Sequence, residues 1–304
     1  MSIRRLLRVI GAVVGAVGVS MLVPVVTALI YREFGDALQM TLAALATVAA
    51  GGWAWRFGRS DTAQLTAREG FAIVGLSWIA MTLFGTLPYV FSGAITNFSD
   101  AFFETAAGFS TTGASIVPDP GELPKGILMW RALSQWMGGM GIIVLSIAIL
   151  PLLGVGGVEL ARAESPGPTP DRLTPRFRET AKRLWLVYLA FTVSEAVLLW
   201  IGDMTLFEAI AHSFTTMSTG GFGTDSRSMA AFSPYAQWVV IVFMFLAGAS
   251  FALHFRALAK PKDYLRNAEF RLYGGIIIVA TVVAAVGTWS GAIADILRDS
   301  LFTI

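Results

Sequence analysis

Two short segments combine residue types that can bind a dehydrated cation. Residues 97–115 read Asn-Phe-Ser-Asp-Ala-Phe-Phe-Glu-Thr-Ala-Ala-Gly-Phe-Ser-Thr-Thr-Gly-Ala-Ser, and residues 205–222 read Thr-Leu-Phe-Glu-Ala-Ile-Ala-His-Ser-Phe-Thr-Thr-Met-Ser-Thr-Gly-Gly-Phe. Each opens on a helix-start signal: Thr205-x-x-Glu208 fits a capping box and Asn97-x-x-Asp100 is a looser version of it. Each continues for about ten apolar-rich residues, too few to cross a bilayer but suited to a re-entrant half-helix. Each then ends in hydroxyl residues followed by glycine. Non-helical backbone is tolerated at membrane depth only where protein buries it or water lines it. A Thr/Ser-Gly strand there presents a row of carbonyl oxygens, which can replace the hydration shell of a monovalent cation. Glycine permits the backbone conformations this requires, and the half-helix directs its partly negative C-terminal end to the same place. Thr112 and Thr219 are candidates to add hydroxyl oxygens. Polar hairpins in outer loops would explain one such segment, since Ser, Thr and Gly are common turn formers. Two, equivalently placed, favour a pore-loop repeat.

The elements that must position these segments follow from composition. Of 304 residues, 55% are hydrophobic and 14% charged, against about 25% charged in a soluble domain. A cytosolic globule and a disordered chain are excluded. With no cysteine and two histidines, thiolate chemistry is absent and a multi-histidine metal centre is disfavoured. Seven stretches have the length and apolar character of a span: 9–30, 39–55, 71–92, 127–151, 184–202, 235–255 and 272–290. Arg4, Arg5 and Arg8 precede the first, whose run is too long for a signal peptide and lacks an A-x-A site, so it reads as a retained anchor. With the N-terminus in the cytoplasm, 17 of the 22 Lys and Arg fall on the inner side. Only Arg32, Lys125, Arg131, Arg227 and Arg298 lie outside or near the outer surface. This is the positive-inside pattern; the basic loops read as solvated ends and require no nucleic-acid partner.

The repeat is helix, half-helix, Thr/Ser-Gly loop, helix. The expected organisation is two N-terminal transmembrane helices (1–60), a first pore-loop repeat (71–153), a cytoplasmic linker (154–183), a second repeat (184–257) and the start of a third (272–304). Gly113 lies 42 residues past the start of its span and Gly220 lies 36 past its own. The same spacing after residue 272 puts a third filter glycine near 308–314, beyond Ile304. The chain therefore reads as the front part of a longer all-α polytopic membrane protein, with internal symmetry of the kind transport proteins carry.

The run from Lys125 to Gly157, with Thr111-Thr-Gly-Ala-Ser115, Leu173-Thr-Pro-Arg176 and Ser213-Phe-Thr-Thr-Met-Ser-Thr-Gly-Gly-Phe222, closely resembles the Trk/Ktr/HKT potassium transporters, specifically the bacterial TrkH type. The resemblance covers nearly the whole chain. It implies four pore-loop units around one pseudo-fourfold potassium pathway. It also implies a homodimer in the bacterial inner membrane, surrounded by lipid, and a cytosolic nucleotide-binding regulatory subunit of the TrkA type. By the same resemblance, Thr111, Thr112 and Gly113 form the first filter strand and Ser218, Thr219, Gly220 and Gly221 the second. The transported ion is potassium, without a cofactor. Serine in place of the first filter glycine goes with sodium preference in this family, so glycine at 113 and 220 implies potassium selectivity. Units three and four of the family pattern are missing from this chain.

Other residues carry competing readings. Glu195, mid-span, is a functional candidate or a bundle-holding hydrogen-bond partner. Arg131 either bonds the back of a filter loop or snorkels to the outer surface, the simpler account. Asp100, Glu104 and Glu208 read as first-turn charges on the half-helices. Gly138, Gly139, Gly141 and the Gly11-x-x-x-Gly15 pair read as close helix contacts, and Pro24 as a kink. Two rival functions remain at this level. One is an intramembrane serine hydrolase using Ser250 and His254, four apart on one helix face. The other is a non-conducting scaffold or regulatory membrane subunit.

Overall fold

The computed structural model describes residues 3–58, 67–149, 173–287 and 293–304. Most of the expected linker, with Arg162, Arg172, Pro166, Pro168 and Pro170, lies outside them. Every regular element among the described residues is helical. The chain divides into two compact units: Met1–Arg172 with Gly220–Ser226, and Leu173–Thr219 with Arg227–Ile304.

In the first unit, α1 (Ile3–Ser20) and α2 (Leu22–Ile30) form one broken span before α3 (Phe34–Phe57). The break at Met21 comes three residues before Pro24, which has no N–H to continue the ladder. Between lipid-exposed helices the driving force is close packing rather than water exclusion. Accordingly α1 and α3 meet through glycine: a Cβ on Gly11 would strike the Trp55 and Gly51 backbone, and one on Gly51 would strike Gly15 and Gly11. α4 (Ala67–Gly85) and α5 (Leu87–Ser92) form the third span, broken at Thr86, with Pro88 in the first turn of α5. The first half-helix, α6 (Phe98–Phe109), precedes α7 (Lys125–Ile149).

The N-terminal spans are tied directly to the repeat. The Glu33 carboxylate accepts hydrogen bonds from the Lys125 N–H (2.7 Å) and the Gly126 N–H (3.0 Å). It thus caps the start of α7 from 92 residues away, satisfying two donors that a helix N-terminus leaves free.

The second unit holds α8 (Leu173–Ile201), the second half-helix α9 (Leu206–Met217), α10 (Pro234–Ala247), α11 (Phe251–Ala259), the short α12 (Asp263–Arg266), α13 (Ala268–Gly287) and α14 (Ile293–Thr303). Leu199, Met204, Ala209, Met229, Ala236 and Val240 form its buried core around α9.

By length and composition, five helical stretches can cross a membrane: Ile3–Ile30, Phe34–Phe57, Glu69–Ser92, Glu179–Ile201 and Ala268–Gly287. The 25-residue α7 includes residues 127–149 of the fourth expected span. The sixth differs from expectation. Residues 235–255 are not one straight helix: α10 and α11 meet at 96°. The break falls at Gly248-Ala249-Ser250, and side chains supply partners for the carbonyls it frees. His254 Nε2 lies 2.8 Å from the Leu246 oxygen, and the Tyr273 hydroxyl donates to the Phe245 oxygen at 3.2 Å. A bend whose backbone groups are re-satisfied in this way is compatible with membrane depth.

Candidate functional site

The two half-helices are built to one plan. Each is twelve residues long, and each residue of α6 has its counterpart 108 positions later in α9, from 98 and 206 to 109 and 217. Asn97 caps α6 by accepting from the Ser99 N–H (2.9 Å). Thr205 and Glu208 form the complete capping box on α9, with the Thr205 N–H donating to Glu208 Oε2 at 3.0 Å. At the other ends Ser110 and Ser218 are the C-caps.

The residue after each C-cap is the informative one. Thr111 and Thr219 both have φ of 55°, and Gly113 and Gly221 follow at 74° and 82°. Left-handed backbone costs an L-residue roughly 1–2 kcal/mol, and a β-branched residue there is an outlier. Threonine in this conformation twice, at equivalent places, means that the loop geometry is imposed by its surroundings. The Thr111 N–H donates to the Gly108 oxygen (3.0 Å) and the Thr219 N–H to the Thr216 oxygen (2.9 Å). The chain therefore turns sharply out of each helix and releases the next carbonyls from helical bonding. Sequence spacing pairs Gly113 with Gly220. Backbone geometry pairs Gly113 with Gly221, and Thr112 with Gly220.

Within the first unit, Gly113 and Gly220 come together: a Cβ on Gly113 would run into the Gly220 carbonyl oxygen. Gly220 in turn lies against the Gln135 side chain, leaving no room for a Cβ. α6 is wedged by two further glycines. A Cβ on Gly138 of α7 would strike the Phe109 carbonyl, and one on Gly85 of α4 would meet the Phe109 ring. The Trp130 indole donates to the Gly85 oxygen at 3.0 Å, and Thr86 and Thr105 share a hydroxyl contact at 3.3 Å. Gly138 thus has the close-contact role expected of it.

Glu104 departs from expectation, and of the two readings of Arg131 the loop contact is the one found. Arg131 does not snorkel: its side chain is 1% exposed and is paired with Glu104, 0% exposed, at 2.8 Å. Glu104 lies in the middle of α6 rather than its first turn, and no cap uses it. Its carboxylate accepts from Ser115 Oγ (2.9 Å) and from the Ile116 N–H (3.0 Å). Arg131 also donates to Ser115 Oγ (3.0 Å) and to the Gly223 oxygen (3.3 Å), and its guanidinium lies 4.3 Å over the Phe222 ring. One turn along α7, Gln135 Oε1 accepts from the Phe222 N–H at 3.1 Å. The signal in the sequence was an arginine inside an apolar span with a glutamate in the preceding half-helix. Gln135 carried no signal beyond its place four residues after Arg131.

In the second unit, His212 occupies the position equivalent to Glu104. It is buried and meets the Phe232 ring edge-on at 5.0 Å. Glu195 is fully buried, with neither carboxylate oxygen hydrogen-bonded among the described residues.

The serine-hydrolase pair does not form. Ser250 precedes α11 at the bend, and the two ring nitrogens of His254 face the Tyr264 hydroxyl (2.8 Å) and the Leu246 carbonyl (2.8 Å). His254 holds the bend and has no free nitrogen to act as a base.

Spans joined through half-helices to strained, glycine-bearing loops define a polytopic helical membrane protein of the pore-loop kind. Comparison with known proteins agrees. The profile of the TrkH family, described as a cation transport protein, matches residues 37–271. The chain belongs to that family, which is a transport family and not an enzyme family. It is 41% identical over 294 residues to the Trk system potassium uptake protein TrkH of Escherichia coli K12, covering 95% of this chain and 61% of that protein. To the protein of the same name from Halomonas elongata it is 38% identical, over 93% of this chain and 60% of that one. The crystal structure of the potassium transporter TrkH from Vibrio parahaemolyticus matches with a TM-score of 0.89 at 36% identity, over 99% of this chain and 63% of that chain. The chain thus spans about three fifths of the length of the relatives it matches.

Proposed function

We propose that this chain carries two filter loops of a potassium uptake pathway. Thr111, Thr112 and Gly113 form one strand, and Ser218, Thr219, Gly220 and Gly221 the other. The observation that carries this reading is the recurrence of a left-handed threonine and a left-handed glycine at the ends of two equivalent half-helices. A continued helix would tie these carbonyls up in bonds to the next turn; the turn frees them to replace potassium's water shell, with no covalent chemistry. Relatives named as potassium uptake proteins support the choice of ion.

The assembled pathway in this reading has pseudo-fourfold symmetry. Residues 71–153 and 184–257 are its first two units, 1–60 an N-terminal pair of spans, 154–183 a cytoplasmic linker and 272–304 the opening of a third unit. The transporter is a homodimer in the inner membrane, its N-terminus cytoplasmic, regulated by a cytosolic nucleotide-binding subunit of the TrkA type.

The test joins the whole chain to the remaining part of the Escherichia coli relative and expresses the chimera in a bacterium lacking potassium uptake. Growth in low potassium and rubidium uptake are expected. A chimera that reaches the membrane but moves neither ion contradicts the reading. Because the chain has no cysteine, single cysteines at Asp119 and Lys262 report orientation. An impermeant thiol reagent should label the first from outside and not the second.

A further inference from the structure

We infer that Arg131, Glu104 and Gln135 are positioning residues of the ion pathway, setting where the outward strands of both filter loops lie. The inference rests on the potassium-filter reading above and adds to it the groups that hold the filter's shape. Arg131 and Gln135 are four apart and so share one face of α7. From that face they reach both loops. Glu104 and Ser115 belong to the first; the Phe222 N–H, the Phe222 ring and the Gly223 oxygen belong to the second.

Each contact falls just beyond the proposed filter residues. Ser115 and Ile116 lie two and three residues past Gly113; Phe222 and Gly223 lie one and two past Gly221. Gln135 also packs against Gly220 itself, and Gly220 against Gly113. A shift of the guanidinium or the amide is therefore transmitted to both strands.

The chemistry suits a rigid strut. A buried ion pair adds little net stability against a well-packed apolar alternative, because desolvation of both charges offsets their attraction. What it offers is geometry: a planar fork of donors with fixed angles, locked here because the carboxylate is also held by Ser115 and Ile116. Lysine would keep the charge and lose the fork. The second half-helix carries His212 where the first carries Glu104. The strut on α7 reaches both loops.

The experiment uses the chimera described above and measures rubidium uptake competed by potassium and by sodium, with membrane abundance recorded for each variant. For Arg131→Lys and Glu104→Gln the potassium-over-sodium preference is expected to fall about tenfold and the apparent KM for rubidium to rise, with abundance within about twofold of the parent. Gln135→Leu is expected to lower the preference about threefold. Arg131→Lys with Glu104→Gln should cost no more than the worse single change, because the two act as one unit. An unchanged preference in variants that reach the membrane, or a loss confined to abundance, overturns the inference. A parent chimera without uptake sinks the potassium-filter reading first, so the two failures are told apart.

Discussion

The first and second repeats solve the same backbone problem with different supports. Their half-helices have equal length, equivalent caps and the same left-handed pair, Thr111 with Gly113 and Thr219 with Gly221. Behind α6 stands a buried ion pair, Glu104 with Arg131, backed by an unbroken α7. Behind α9 stand His212 on Phe232, a buried Glu195 and a following helix bent by 96°. What is kept between the repeats is the path of the backbone where carbonyls are presented. What differs is what stands behind each half-helix: the Glu104–Arg131 pair behind α6, and His212 against the Phe232 ring behind α9. In the proposed reading the ion meets backbone carbonyls, so the two loops share their φ angles while the side chains behind them differ.

The comparison can be broken most sharply at Gly138. A Cβ there would meet the Phe109 carbonyl, a backbone atom that cannot rotate aside. Gly138→Ala should displace the end of α6 and lower rubidium uptake by about two orders of magnitude, as misplacement of about 1 Å does elsewhere. Uptake within a factor of two of the parent would show that the first loop does not depend on this packing. The loops themselves come next. Thr111→Gly and Thr219→Gly relieve the left-handed strain equally and loosen the turn. Each should lower potassium-over-sodium preference about tenfold. If one matters and the other does not, the loops are not functionally equivalent. The smallest effect belongs to the bend in the second repeat. His254→Leu removes the Tyr264 hydroxyl's ring partner and one of the partners of the Leu246 carbonyl, which keeps the Ala249 N–H, at a cost of about 1 kcal/mol. A lower thermal midpoint in detergent with unchanged ion preference is expected. A changed preference would make the bend part of the filter's support.

Much of this was legible in the sequence, for identifiable reasons. The half-helices are readable because their caps are local: Thr205 and Glu208 act on donors within one turn, and Ser/Thr-Gly marks the stop. The spans are readable because lipid demands long apolar runs. The bend in the sixth span was not, since residues 235–255 are apolar apart from Gln237, Ser250 and His254, and the side chains that stabilise the break, His254 and Tyr273, act on carbonyls 8 and 28 residues away. The pairing of Gly113 with Gly221 was also hidden. Spacing from the span starts varies with loop length, whereas dihedral angles identify equivalent residues directly. For Arg131 the snorkelling default of a lone arginine near a span end gives way to the other reading, a bond to the loop at Gly223. Only the structure brings Glu104 and Ser115 within reach.

The central claim is that these loops select a cation through backbone carbonyls. It is tested most directly by the potassium-to-sodium preference of the chimera carrying Gly113→Ser, beside Gly275→Ser as a control. A Cβ at Gly275 meets nothing within 4 Å, whereas one at Gly113 meets the Gly220 carbonyl. The account predicts a preference lowered at least tenfold for Gly113→Ser and unchanged for Gly275→Ser. Equal preferences in the parent and in Gly113→Ser, at equal membrane abundance, would contradict it.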